Sequence, residues 1–157
     1  DVWLSRRVAR TDPFGAPERL LPPVNSAASE TISIFSPDGL TLCVTSNRPG
    51  KFAGSDGFLF RRSSTTANFA EEENLGRNVN TQGFIVPNWI SNDRKFVIAT
   101  AHTSPPYRTS WHTRASDSEP FGIGHPLAAP FDKTQAGGSR LSRDGQRLYF
   151  HTRDIQG

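Results

Sequence analysis

Four histidines are the first candidates for chemistry: His102, His112, His125 and His151. A neutral imidazole can hold a metal or move a proton near neutral pH. None belongs to the i, i+4 helical pair or tight cluster that metal sites use. His102 and His112 flank one loop and could meet across it, the plain alternative being hydrogen-bonded or solvated histidine. A serine hydrolase needs Ser, His and a carboxylate brought together, usually on a G-x-S-x-G elbow between strand and helix. No such elbow occurs, and "GSDG" at Gly54 to Gly57 reads as a turn. Lys51 lies in "RPGKFAGSDG", which lacks both the order and the helix of a phosphate loop. Gly122-Ile123-Gly124 lacks the third glycine and the context of a dinucleotide fingerprint. The lone Cys43 can form neither an internal disulfide nor a cysteine zinc site, and between Leu42 and Val44 it reads as a buried, inert thiol.

The aspartates belong to turns. In Ser36-Pro37-Asp38-Gly39, proline presets φ, serine can bond the turn backbone, and glycine takes the left-handed position. Asp144-Gly145 repeats this chemistry, whereas Arg94 replaces the glycine in Ser91-Asn92-Asp93-Arg94, so a looser turn is expected there. The box Ser-x-Asp-x-Gly-x-Thr-Trp of sialidase hairpins is not matched. The spacing from Asp38 to Gly39 is one residue short, the tryptophan is missing, and no carboxylate pair for glycosidase work can be nominated.

These turns recur because the chain repeats. "DVWLSRR" from Asp1 returns as "DGFLFRR" from Asp56, an offset of 55. Phe14 returns as Phe69 and Phe121, Val24-Asn25 as Val79-Asn80 and more weakly as Phe131-Asp132, and Ser36 as Ser91 and Ser142. Arg7, Arg62 and Arg114 share one repeat position and form a basic arc if the units stack, read as solvated charge guarding strand edges. The alternation supports four short strands per unit, at Ile32–Phe35, Leu42–Thr45, Gly57–Arg61 and Glu71–Leu75 in the best-preserved copy. Frequent Pro, Gly and Asn leave no room for a long helix. Ile34, Leu42, Val44, Phe58, Phe60, Ile85, Val97, Leu148 and Phe150 are the expected core.

Four strands in a period of this size are the signature of propeller blades. "SPDG", "TSNRPG", "SDGFLF" and "FAEEENLGRNVN" resemble the WD-repeat-like Pro-Asp blades of TolB-type β-propellers, in register along the whole chain. The expected fold class is all-β: a β-propeller fragment of four-stranded antiparallel blades, with two full blades plus a half-blade at each end. It forms one arc over 1–157, with units 1–28, 29–81, 82–133 and 134–157. The first strand of each blade lines a central channel. The chain of 157 residues holds no methionine, so it is expected to be a processed or excised piece of a larger propeller, and its open ends to self-associate or fray.

The functional expectation is a non-catalytic interaction module with no cofactor and no metal. It binds a protein or cell-envelope component. The alternative is an accessory or gating propeller of a larger hydrolase or peptidase whose catalytic residues lie elsewhere. The resemblance implies a bacterial periplasmic or extracellular setting. No apolar run is long enough to span a membrane. Asp1-Val2-Trp3-Leu4 reads as a strand and not as a signal peptide. A net charge of +3 permits an acidic partner, but the aromatics fall at strand positions, against nucleic-acid binding. The expected contact surface is the long-loop face, comprising Pro22–Glu30, Asn47–Ser55, Gly76–Gly83, Ala101–Thr109 and Ala129–Gly138. Its candidate residues are Asn25, Arg48, Lys51, Asn80, His102, Tyr107 and Arg108. The opposite face is expected to hold mostly compact turns.

Overall fold

The computed structural model describes residues 1–103, 107–128, 137–142 and 144–151. These contain twelve strands and no helix. A first four-stranded antiparallel sheet runs β3 (Glu30–Phe35), β4 (Thr41–Ser46), β5 (Asp56–Arg61) and β6 (Glu71–Asn74). A second runs β7 (Phe84–Ile90), β8 (Phe96–His102), β9 (Arg108–Thr113) and β10 (His125–Pro126). Two hairpins flank them: β1 (Trp3–Leu4) with β2 (Glu18–Arg19), and β11 (Gly137–Leu141) with β12 (Leu148–His151). Every strand pairs with its chain neighbour, so each sheet is an up-and-down meander. Pro87 sits in β7 without breaking a central ladder because β7 is an edge strand, and the register shifts between Pro87 and Trp89.

Alternation decides the packing. All six residues of β4 are buried, which requires cover on both faces of the first sheet. Leu42, Val44, Phe58 and Phe60 face one way and meet Val2, Val24 and Phe69. Ile34, Cys43 and Leu59 face the other way and meet Ile85, Ile90, Val97 and Ala99 of the second sheet. Burying each Val, Leu, Ile or Phe among them contributes about 1.5–3 kcal/mol before entropy is counted. β7 lies against β3, β4 and β5, and β11 against β7 and β8, so the first strands of successive sheets are neighbours. Thr45 Oγ1 donates across this junction to the Ile85 carbonyl at 2.8 Å. At Gly57 a Cβ would come within 2.7 Å of Leu75 Cδ1 and 2.9 Å of Pro87 Cγ, so β5 meets its neighbours there only as glycine.

The turn occurs three times in one geometry. Ser36, Ser91 and Ser142 each donate to the aspartate two residues on and accept the backbone N–H five residues on. Gly39 and Gly145 take φ of +73° and +72°. The expected looser middle turn is not found: Arg94 takes φ +58° and keeps the same bonds. Its guanidinium is paired with Asp117 and its carbonyl accepts from Arg114, contacts that hold a conformation otherwise costing a non-glycine residue roughly 1–2 kcal/mol.

Seven of the nine expected core residues are buried. Leu148 is half-buried and Phe150 is 39% exposed, because β12 pairs only with β11 among the described residues and no third strand covers its outer side.

Candidate functional site

The two ends of the sheets differ. Ser46, Asp56, Asn74, Phe84, His102 and Arg108 mark one end, from which the long loops leave. These loops are pinned from below. Asp56, fully buried, accepts the backbone N–H groups of Phe52 and Ala53 at 2.7 and 2.9 Å and the Asn74 amide at 2.9 Å.

Of the sequence candidates, three are internal. Asn25 clamps the start of β1, accepting from Val2 N–H at 2.6 Å and donating to the Val2 and Leu20 carbonyls. Asn80 clamps β5 in the same way through Gly57 N–H at 2.8 Å and the Gly57 carbonyl. Both are 1% exposed. Arg48 is 4% exposed; it lies over the rings of Phe58 and Phe60, pairs with Glu30 and Glu72, and donates to the Pro23 and Val24 carbonyls. Burial works to raise the Glu30 pKa, but hydrogen bonds from Ser26 and the charge of Arg48 outweigh it and hold the carboxylate below its ordinary range. A loop residue rich in donors can turn inward when the loop's own carbonyls need partners. These three therefore spend their polar groups on bonds within the fold.

Lys51 and Arg108 are exposed on the loop end, Lys51 donating to the Gly54 carbonyl at 3.0 Å. His102 and Tyr107 are half-buried with ring centroids 4.3 Å apart, and His102 also meets Phe84 edge-on. Burial holds the His102 pKa below its ordinary value. Two residues of this end escaped the sequence reading. Arg77 stacks over Phe52 at 4.7 Å, joining the loop before β5 to the loop before β7. Each stood in a nominated loop; their contact depends on the meeting of loops 25 positions apart in sequence. Ala129–Gln135 and Ala136, within the fifth loop, lie outside the described residues, as do Ser104, Pro105 and Pro106 of the fourth and the repeat match at Phe131-Asp132.

His112 does not meet His102. It faces Val97 across the ladder while His102 sits five residues further along β8, a separation of about 17 Å along the strand. His112 is 4% exposed, with Nδ1 3.1 Å from the Gly122 carbonyl; burial first, then the neighbouring His125, lowers its pKa and leaves the ring neutral at pH 7. No metal-binding group of histidine, cysteine or carboxylate exists among the described residues. Cys43 is fully buried, and burial, with the Glu73 carboxylate second, pushes its thiol far above the ordinary range. The thiolate needed for nucleophilic work is thereby suppressed.

The opposite end is not confined to compact turns. The segments 62–70 and 114–124 emerge there, and the second of them, with Arg61 and β6, frames an open cleft of about 370 Å³. Arg61, Glu71, Glu72, Glu73, Asp117, Ser118, Glu119 and Pro120 line it. Its charges are largely spent on each other. Glu73 pairs with Arg61 and Arg114; Asp117 pairs with Arg94 and Arg114; Glu71 pairs with Arg61 at 3.2 Å. This network ties the first sheet to the second. The basic arc is likewise internal chemistry: Arg7, Arg62 and Arg114 lie 4.7, 4.7 and 4.5 Å over Phe14, Phe69 and Phe121. The repeat that placed the arginines together also supplied each with its ring.

Comparison with protein-family models, with curated proteins and with solved structures returned no match.

Proposed function

We propose that this chain is a non-catalytic β-propeller module of the TolB-like kind, which binds an acidic or polar protein of the bacterial cell envelope through its long-loop end. Two meanders stacked face to face, with β3, β7 and β11 as successive inner neighbours, support the blade reading. One observation carries the binding reading. Loops locked at their bases by Asp56 and Asn80 hold out Lys51 and the Arg77–Phe52 stack, and Arg108 and the His102–Tyr107 pair stand at the same end of the sheets. Rigid loops lose little entropy on binding, and aromatic and arginine groups dominate contact energies.

The test is charge reversal at Lys51, Arg77 and Arg108 together, each to glutamate. Retention of bacterial envelope proteins on the immobilised chain is compared with that on the variant. Loss of retention with an unchanged β-rich circular dichroism spectrum is expected. Equal retention by a folded variant rejects this end as the binding surface.

A further inference from the structure

Two neighbouring loops of the long-loop end carry cations with no carboxylate to answer them. Asn47–Ser55 and Gly76–Gly83 contain Arg48, Lys51 and Arg77 and no aspartate or glutamate. Arg48 is internal, held by Glu30 and Glu72. Lys51 and Arg77 are exposed and enter no ion pair among the described residues. Asp56, which follows the first loop, is fully buried, and its oxygens are taken by Phe52, Ala53 and Asn74.

Arg77 differs from the stacked arginines inside the fold. Arg48, Arg62 and Arg114 also lie over phenylalanine rings, and each donates its guanidinium hydrogens to internal acceptors. The Arg77 guanidinium lies 4.7 Å over the ring of Phe52, itself 43% exposed, and donates to no acceptor among the described residues. A ring under a guanidinium occupies its face and leaves the fork of N–H groups at its edge.

One chain of hydrogen bonds fixes both loops. Asp56 accepts from Phe52 N–H at 2.7 Å and from the Asn74 amide at 2.9 Å. Asn74 Oδ1 in turn accepts from Gly76 N–H at 2.8 Å and from the Asn80 amide at 2.7 Å. Asn80 N–H returns to the Gly76 carbonyl at 2.8 Å, closing the turn that carries Arg77. Phe52 and Arg77 are thus placed from a common base, and little backbone ordering remains for a ligand to impose.

We propose that Arg77, backed by Phe52, receives a carboxylate of the partner's acidic segment through two of its N–H groups, and that Lys51 takes a second carboxylate of the same segment. The Lys51 ammonium gives one hydrogen to the Gly54 carbonyl at 3.0 Å and keeps two. This assignment rests on the loop-end binding reading above and names its anchor. The donors suit a carboxylate better than a phosphate. Phosphate sites gather backbone N–H groups. Here those of Phe52, Ala53, Ser55 and Gly76 are already donated within the fold. A planar fork remains, matching the two coplanar oxygens of a carboxylate.

Calorimetric titration of the 157-residue chain with a short oligo-aspartate peptide should show binding, and tighter binding than inorganic polyphosphate of equal charge. Arg77→Lys keeps the charge and loses the fork, and should weaken oligo-aspartate binding roughly tenfold. Phe52→Leu keeps every charge, removes the ring and should also weaken it. Arg7→Lys, the same exchange at another ring-stacked arginine, should leave binding unchanged. Absence of oligo-aspartate binding, equal or tighter binding of polyphosphate, or an Arg77→Lys chain that binds like the parent overturns the assignment. If Arg77→Lys fails to fold, Phe52→Leu decides. Loss of envelope-protein retention on triple charge reversal, with oligo-aspartate binding untouched by Arg77→Lys, would keep this end as the binding surface and remove the fork from it.

Discussion

Arg114 donates its Nε–H to the carbonyl of Arg94 at 2.8 Å and so closes a turn whose left-handed position Arg94 itself occupies. Arg62 makes the same bond to the Gly39 carbonyl at 2.9 Å. The repeat thus builds one device twice, an arginine stacked on a phenylalanine with its guanidinium locking the neighbouring turn. Only the second copy adds carboxylates, Glu73 and Asp117, that carry the link from sheet to sheet.

Arg114→Ala should therefore destabilise the chain by about 3 kcal/mol, the range for breaking a buried ion pair from one side. Its side chain is 1% exposed, so its partners lose a charge that water replaces only in part. Arg62→Ala, which loses the same kind of ring stack and carbonyl bond but no ion pair with a carboxylate, should cost less than half as much. Urea unfolding of both variants measures this, and equal losses would show that the sheet-to-sheet ion pairs contribute nothing.

Arg94→Gly sets strain against charge. Glycine relieves the left-handed backbone, worth roughly 1–2 kcal/mol. It also removes a partly exposed ion pair with Asp117, worth roughly 0.2–1 kcal/mol. The variant should lie within about 1 kcal/mol of the parent at pH 7. The hydrogen bond from Arg94, with Arg61 and Arg114 nearby, holds the Asp117 pKa below its ordinary value against the opposing effect of burial. The unfolded chain therefore binds the proton first. Asp117 contributes stability above the unfolded pKa of about 3.9, and that contribution is lost as pH falls through the lower folded value. Below it, Arg94→Gly should be the more stable chain. Unfolding curves from pH 7 to pH 3 that keep the two chains in the same order by a constant margin would refute the assignment.

Asn80→Ala should cost about 2 kcal/mol, because the Gly57 N–H is left buried without a partner, while the Gly57 carbonyl keeps only the Leu75 N–H. Amide exchange at Gly57 should accelerate together with that of Phe52 and Ala53, whose loop hangs from the adjacent Asp56. Unchanged protection of Phe52 and Ala53 would mean that the loop is anchored independently of Asn80.

Much of the strand plan is legible in the amino-acid order, because the forces that set it act within a few residues. A Ser-x-Asp turn closes its own hydrogen bonds inside six positions, and alternation between Leu42, Val44, Phe58 and Phe60 declares which side of a strand is buried. The order of the chain therefore determined an all-β fold of short antiparallel strands and the inert burial of Cys43. It did not determine which way a polar loop residue turns. Asn25, Arg48 and Asn80 look outward in composition and point inward in the fold, because carbonyls and N–H groups from Val2, Pro23, Val24 and Gly57 converge there needing partners. Arg94 could take a glycine's conformation only once Asp117 and Arg114 arrived beside it. The Arg77–Phe52 stack and the acidic cleft likewise exist only where segments distant in sequence meet. Local hydrogen bonds and period are written along the chain; a side chain's partner across space is decided by the packing of sheets, which no window of neighbouring residues contains.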